Sequence, residues 1–281
     1  MKDILESMLN QICGANLFSS IYETLSVNLF SSGGAFGTAY NVVHAIYNTI
    51  MSIGVMLLFV YFIVALVDKL SSDTFTWETL WRQFALLLAA KYIMENGFQL
   101  LEIIFNIGMA TAARVSALGD PSVSETAIDA AAVIDNFTAS FTGIFSPLGH
   151  LIMMLYLLIP WVLSWIMGLC VSIICYSRVI EIYVRATFAP IALSDFFHSG
   201  LHGSGWRYLK SFLAVALQGA LILVIGMIYS ALFKGLTLDT EASLLPSKLL
   251  IFLGKFIILY ASAVMLMFKS LPLSKELVGV S

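Results

Sequence analysis

Residues 50–67 read IMSIGVMLLFVYFIVALV, eighteen positions without a charged side chain, and Asp68 and Lys69 close the run at once. A bilayer core about 30 Å thick demands about 20 apolar residues at 1.5 Å of helical rise each. The stretch therefore predicts a transmembrane helix over Tyr40–Val67. The whole composition agrees, with 60% hydrophobic residues, 11% charged and a mean hydropathy of +0.94 over 281 residues. Soluble domains carry about one-quarter charged residues, and a soluble fold has nowhere to bury so much apolar surface.

Toward the N-terminus, Ile4, Leu5, Met8, Leu9 and Ile12 recur at helical spacing opposite Lys2, Asp3, Glu6 and Gln11, which predicts a short amphipathic helix ending near Gly14. A second is predicted from Leu17, Phe18, Ile21, Tyr22, Leu25 and Phe30, before SSGGAFG breaks the chain at Ser31–Gly37. Residues 1–39 then form an extracytoplasmic segment of amphipathic helices that lies along the membrane or packs on the bundle. MKDILESMLNQICG lacks the apolar core and small-residue cleavage site of a secretory signal, so insertion is expected to rely on internal spans.

Toward the C-terminus, Trp81–Val115 is long enough to cross but carries Arg82, Lys91, Glu95 and Glu102, with ENG at its middle, so it is a span or a re-entrant segment. An acidic linker over 116–138 contains Asp120, Glu125, Asp129 and Asp135 and no basic residue. Leu151–Tyr176 reads as the third span, with Pro160 as a possible kink, Ser211–Phe233 as the fourth and Leu249–Phe268 as the fifth. Between the third and fourth, residues 178–210 are expected to form a basic inner loop, an interfacial helix turning at Pro190. The fold class is thus all-α, a polytopic transmembrane bundle of about five spans over 40–281. Retained loops are enriched in Lys and Arg. With the N-terminus outside and the C-terminus inside, Lys69, Arg82, Arg178, Arg185, Arg207, Lys210, Lys269 and Lys275 lie inward, eight against the outer four, Lys2, Arg114, Lys234 and Lys248.

Several function classes lack their chemistry. The net charge of -3 with scattered cations argues against sequence-specific nucleic-acid binding, which needs clustered basic residues. Cys13, Cys170 and Cys175 make no CxxC pair, and Cys170 and Cys175 read as small packing residues in an apolar run. His44 and His150 flank spans with no ligand at metal spacing and read as ordinary interfacial residues, and Lys255 as a snorkelling cation. No GxSxG elbow, HExxH helix, Walker loop or GxGxxG fingerprint occurs, so neither an enzyme nor a resident cofactor or metal is expected.

Lys91 and Glu95 stand one helical turn apart, and Glu102 follows on the same segment. Ionisable groups in a span are either the wall of a polar path or a structural pair. Both alternatives stand at this point. Gly219 and Gly226, seven apart on the fourth span, predict close helix packing and are weak grounds for assembly.

The stretch from Arg178 to Gln218 is the most informative: a span ends, RVIEIYVRATFAPIALSDFF carries "API", HSGLHGSG follows, and a Gly-Trp precedes the entry "YLKSFLAVALQ". In this piece, and in its plan of about five spans with a central outer loop, the chain resembles the TrbL-like family, the polytopic inner-membrane subunits of conjugative type IV secretion systems. Its short central loop and its lack of a long hydrophilic C-terminal extension depart from the better known members. The resemblance implies a bacterial inner-membrane channel or platform subunit for DNA or protein transfer, a homo-oligomer contacting membrane lipids, other membrane subunits and the cytoplasmic ATPases that energise it. Arg178, Arg185, Asp195, Arg207 and Lys210 are then expected to dock cytoplasmic partners. The alternatives are a small-molecule transporter, for which no internal repeat is seen, and an accessory or immunity-type protein with no transport path.

Overall fold

The computed structural model describes residues 2–12, 24–25, 27–71, 76–118, 146–195, 203–238 and 246–279, and their regular structure is entirely helical. The helices are α1 (Lys2–Ile12), α2 (Gly37–Leu70), α3 (Trp77–Glu95), α4 (Gly97–Leu118), α5 (Ser146–Ser194), α6 (Ser204–Leu238), α7 (Pro246–Phe268) and α8 (Ser270–Val278). Four of the described helices are long and apolar enough to cross a membrane: α2, α4, and the segments Leu157–Ser194 of α5 and Ser204–Leu232 of α6. A fifth is counted if Leu253–Phe268 and Ser270–Val278 form one broken span. The all-α polytopic class stands. The linker 119–138, most of the second amphipathic segment, and the side chains of Lys2, His150, Lys234 and Lys248 lie outside the described residues.

The chain divides into two compact units. The first contains Met1–Ser26, Ala112–Tyr176 and Ala220–Ser270. Here Leu5, Met8 and Ile12 of the expected apolar face of α1 are buried in one cluster with Leu157, Val171 and Phe256, while Ile4 is exposed. Gln11 secures the helix to α5, its side chain accepting from the Trp161 indole N–H at 2.8 Å and its carbonyl from the Ser164 hydroxyl at 3.0 Å. Packing on the bundle is therefore what α1 does.

The second unit contains Val27–Thr111, Ser177–Gly219 and Leu271–Ser281. Turns over 29–36 lead into α2, and Gly37 is required there because a Cβ would collide with the Ser32 carbonyl. The helix runs to Ser71, whose N–H bonds back to the Val67 carbonyl, and Lys69 in the last turn suits the negative end of the helix dipole. α3 and α4 run back along α2, with Phe62 against Phe84 at 5.4 Å, Tyr47 against Phe98 at 5.1 Å, and His44 against Phe98 at 5.0 Å.

The uncertain second region resolves into two helices broken at Asn96, and the cause lies on α2. The Tyr47 hydroxyl donates to the Met94 carbonyl at 2.8 Å and is also hydrogen-bonded to the Phe98 backbone. It occupies the place of the ordinary Phe98-to-Met94 helical bond, an insertion of the kind that breaks helices. Gly97 permits the approach, since a Cβ there would lie 2.7 Å from that hydroxyl.

The expected inner loop 178–210 is corrected. α5 continues as helix past Arg178, Arg185 and Pro190 to Ser194, and α6 already begins at Ser204, leaving only a short connection. Pro190 does not end the helix because tertiary packing holds it: Gly54 of α2 faces its carbonyl so closely that a Cβ would sit 2.9 Å from the oxygen. α5 is likewise unbroken at Pro160.

Candidate functional site

The residues expected to dock partners are placed by the facing parts of α5 and α6 in the second unit. Arg178 is only 3% exposed. Its Nε donates to the Val215 carbonyl at 3.3 Å and its Nη2 to the Ala216 carbonyl at 3.1 Å. Those carbonyls belong to α6 and use their second lone pairs. The guanidinium fits because Gly219 has no side chain: a Cβ would stand 2.6 Å from Cζ and from Nη2. A buried charge needs such partners, because desolvation without them is costly. Arg178 therefore has no surface to dock with, which corrects its expected place on an exposed loop. Gly219 does make a close approach, to a side chain of its own chain, so it supplies no motive for contact between copies. Gly226 is also buried.

About two turns further along α5, Arg185 pairs with Glu181, its Nη2 donating at 2.6 Å and its Nε at 3.0 Å to the same carboxylate oxygen. Its Nη1 donates to the Ser211 hydroxyl at 2.6 Å, and the Tyr208 hydroxyl donates to its backbone carbonyl. At the end of the same helix, Asp195 accepts from both the backbone N–H and the hydroxyl of Ser204, at 2.7 and 2.8 Å, satisfying a first-turn donor of α6. Lys210 lies 5.9 Å from the Trp206 ring centre. Arg207 alone of the five is exposed and makes no side-chain bond to a described residue. The polar residues of the stretch 178–210 are thus mostly used to hold α5 against α6. Sequence reasoning missed Ser211 and Tyr208 in this network, because their partner Arg185 lies on the preceding helix and spacing along α6 does not report it.

Of the expected path residues, Lys91 and Glu95 meet at 3.5 Å on α3, with about half of each side chain exposed, 49% and 48%. Glu102 lies on α4, half-buried, and is not brought to that pair. Among the described residues no three His, Cys, Asp or Glu come together as a metal site. Cys175 is buried and Cys170 partly so, and neither is in a disulfide bond.

Long apolar helices, hydrogen bonds from buried side chains to neighbouring helices and close glycine contacts define a multi-pass helical membrane protein. Residues 32–190, more than half of the chain, match the family described as TrbL/VirB6 plasmid conjugal transfer like protein. The chain belongs to that family, and it is a membrane protein of conjugal transfer. No curated protein and no solved structure matches it.

Proposed function

We propose that the chain is a channel or platform subunit of a conjugative type IV secretion apparatus in the bacterial inner membrane, assembled as a homo-oligomer and energised by separate cytoplasmic ATPases. The family match carries the apparatus. The observation that supports a path is Glu102, a carboxylate on a membrane-length helix with no hydrogen bond or ion pair to another described residue. A lone charge at the bilayer centre costs about 2.5–3.5 kcal/mol on insertion scales, which disfavours lipid contact and favours water. Lys91 and Glu95 neutralise each other and serve as a structural pair at the rim of that path.

Transfer efficiency and membrane protein level, measured together, test this. Glu102→Gln is expected to leave the level unchanged and to lower transfer at least tenfold. Lys91→Met with Glu95→Leu is expected to keep both. Full transfer by Glu102→Gln would remove Glu102 from the path.

The proposed orientation puts the N-terminus outside and the C-terminus inside, with Arg207 and Lys210 turned to cytoplasmic partners. It rests on the eight-to-four distribution of basic residues. Single cysteines at Ser124 and at Glu276, in a background without the native three, are expected to react with an impermeant maleimide from outside and only after permeabilisation, respectively. The opposite pattern inverts the topology.

A further inference from the structure

The first third of α2 carries polar side chains on one face. Asn41, His44 and Asn48 are three and four residues apart, which places them on one stripe, and all three are exposed. Ser52 continues the stripe by one turn and is exposed too. α4 repeats the spacing with Gln99, Glu102 and Asn106, of which Gln99 and Asn106 are exposed and Glu102 half-buried. The contacts of Phe98 with Tyr40, His44 and Tyr47, at 5.8, 5.0 and 5.1 Å, fix the antiparallel register of the two helices. That register sets His44 level with Phe98 and so beside Gln99, and Asn41 beside Glu102, with Asn48 and Asn106 one turn beyond at opposite ends.

These groups are not occupied with one another. His44 and Asn48 share one long contact of 3.4 Å, while Asn41, Gln99, Glu102 and Asn106 make no side-chain hydrogen bond to another described residue. Both helices are membrane-length. On the same turns of α2 a different face is apolar and exposed, formed by Val42, Ile46 and Ile53. The two surfaces ask for different surroundings, since unpaired amides and a carboxylate are penalised in hydrocarbon and isoleucines are not.

We infer that this band, and not the Lys91–Glu95 pair, is the wetted wall of the path, completed by the same band on further copies of this chain. Five of the six side chains, amides and an imidazole, both donate and accept hydrogen bonds, and a single carboxylate is charged. Such a surface is self-complementary through water without crowding like charges. It offers a passing polymer hydrogen bonds of either sense. The inference rests on the path proposed above and replaces most of its lining.

Cysteine accessibility in intact cells tests it, using the full-length protein without its native cysteines and a membrane-impermeant, charged methanethiosulfonate. Single cysteines at Asn41, Asn48, Gln99 and Asn106 are expected to react at least tenfold faster than those at Val42, Ile46 and Ile53. Equal reaction of both sets means that these turns project beyond the bilayer, and overturns the band as a membrane path. Slow reaction of the first set, with or without disulfides between copies, means a dry surface and overturns it equally. The function is judged separately, by transfer in the same strains: a fast-reacting band with undiminished transfer after modification leaves the wetted wall standing and ends its role in secretion.

Discussion

Replacing Gly108 by alanine is expected to destabilise the protein by about 1–3 kcal/mol, the usual range for forcing added volume into a packed interior. A Cβ at this position would lie 2.5 Å from the Ala216 carbonyl oxygen, 2.7 Å from its carbon and 3.0 Å from the Ala216 Cβ. None of those atoms is the end of a flexible side chain. Relief therefore requires α4 to move away from α6, which loosens the cluster that holds Leu101, Phe105, Phe212 and Val215. Gly254→Ala is the control, because nothing lies within 4 Å of its Cβ position and alanine favours the helix interior. Thermal unfolding in mild detergent should separate the two variants by a clear fall in midpoint for the first alone. Equal midpoints would mean that α4 and α6 do not pack at Gly108.

Gly219→Ala is expected to cost about 2–3 kcal/mol, comparable to losing hydrogen bonds made by a charged donor. Its methyl group would overlap the Arg178 guanidinium, which must then leave the Val215 and Ala216 carbonyls and remain buried without them. Arg178→Met is expected to be much milder, because an apolar chain of similar length removes the charge together with its need for partners. The double variant should resemble Arg178→Met alone, since the methyl group then meets no guanidinium. Arg178→Lys should be worse than Arg178→Met, as an ammonium keeps the charge but lacks the planar fork that reaches two carbonyls. Four midpoints give the coupling. An unchanged cost of Gly219→Ala in the Arg178→Met background would detach the glycine from the arginine.

Both positions bear on function through the same helices. α6 receives Gly108 from α4 and Arg178 from α5, and α4 also carries Gln99, Glu102 and Asn106. A shift of α4 against α6 would displace the wetted stripe along with the core. Loss of transfer in Gly108→Ala at normal membrane level would therefore point to the geometry of the band rather than to folding.

The sequence alone determined the class. Charge-free runs such as 50–67 have one stable solution in hydrocarbon, the helix, because it satisfies every backbone group within the segment. The Lys91–Glu95 pair was legible for the same local reason: four residues is one turn. The stretch from Arg178 to Gln218 also carried the family resemblance, which the match over 32–190 joins at its N-terminal part.

Only the tertiary structure decided what depends on neighbours distant in sequence. Arg178 looked like a loop cation because a helix was expected to end before Pro190, and local propensity cannot register that Gly54 would hold that proline in place. The break at Asn96 is made by a hydroxyl from Tyr47, 47 residues away in the chain to its acceptor. Gly219 read as a contact between helices of any kind, and the fold assigned it to one guanidinium. The polar spacing at Asn41, His44 and Asn48 and at Gln99, Glu102 and Asn106 was visible as periodicity in each segment by itself. Which faces remain uncovered follows only from packing, and that the two stripes overlap, Gln99 beside His44, follows from the aromatic contacts of Phe98, because register between helices is a property of packing and not of either sequence alone.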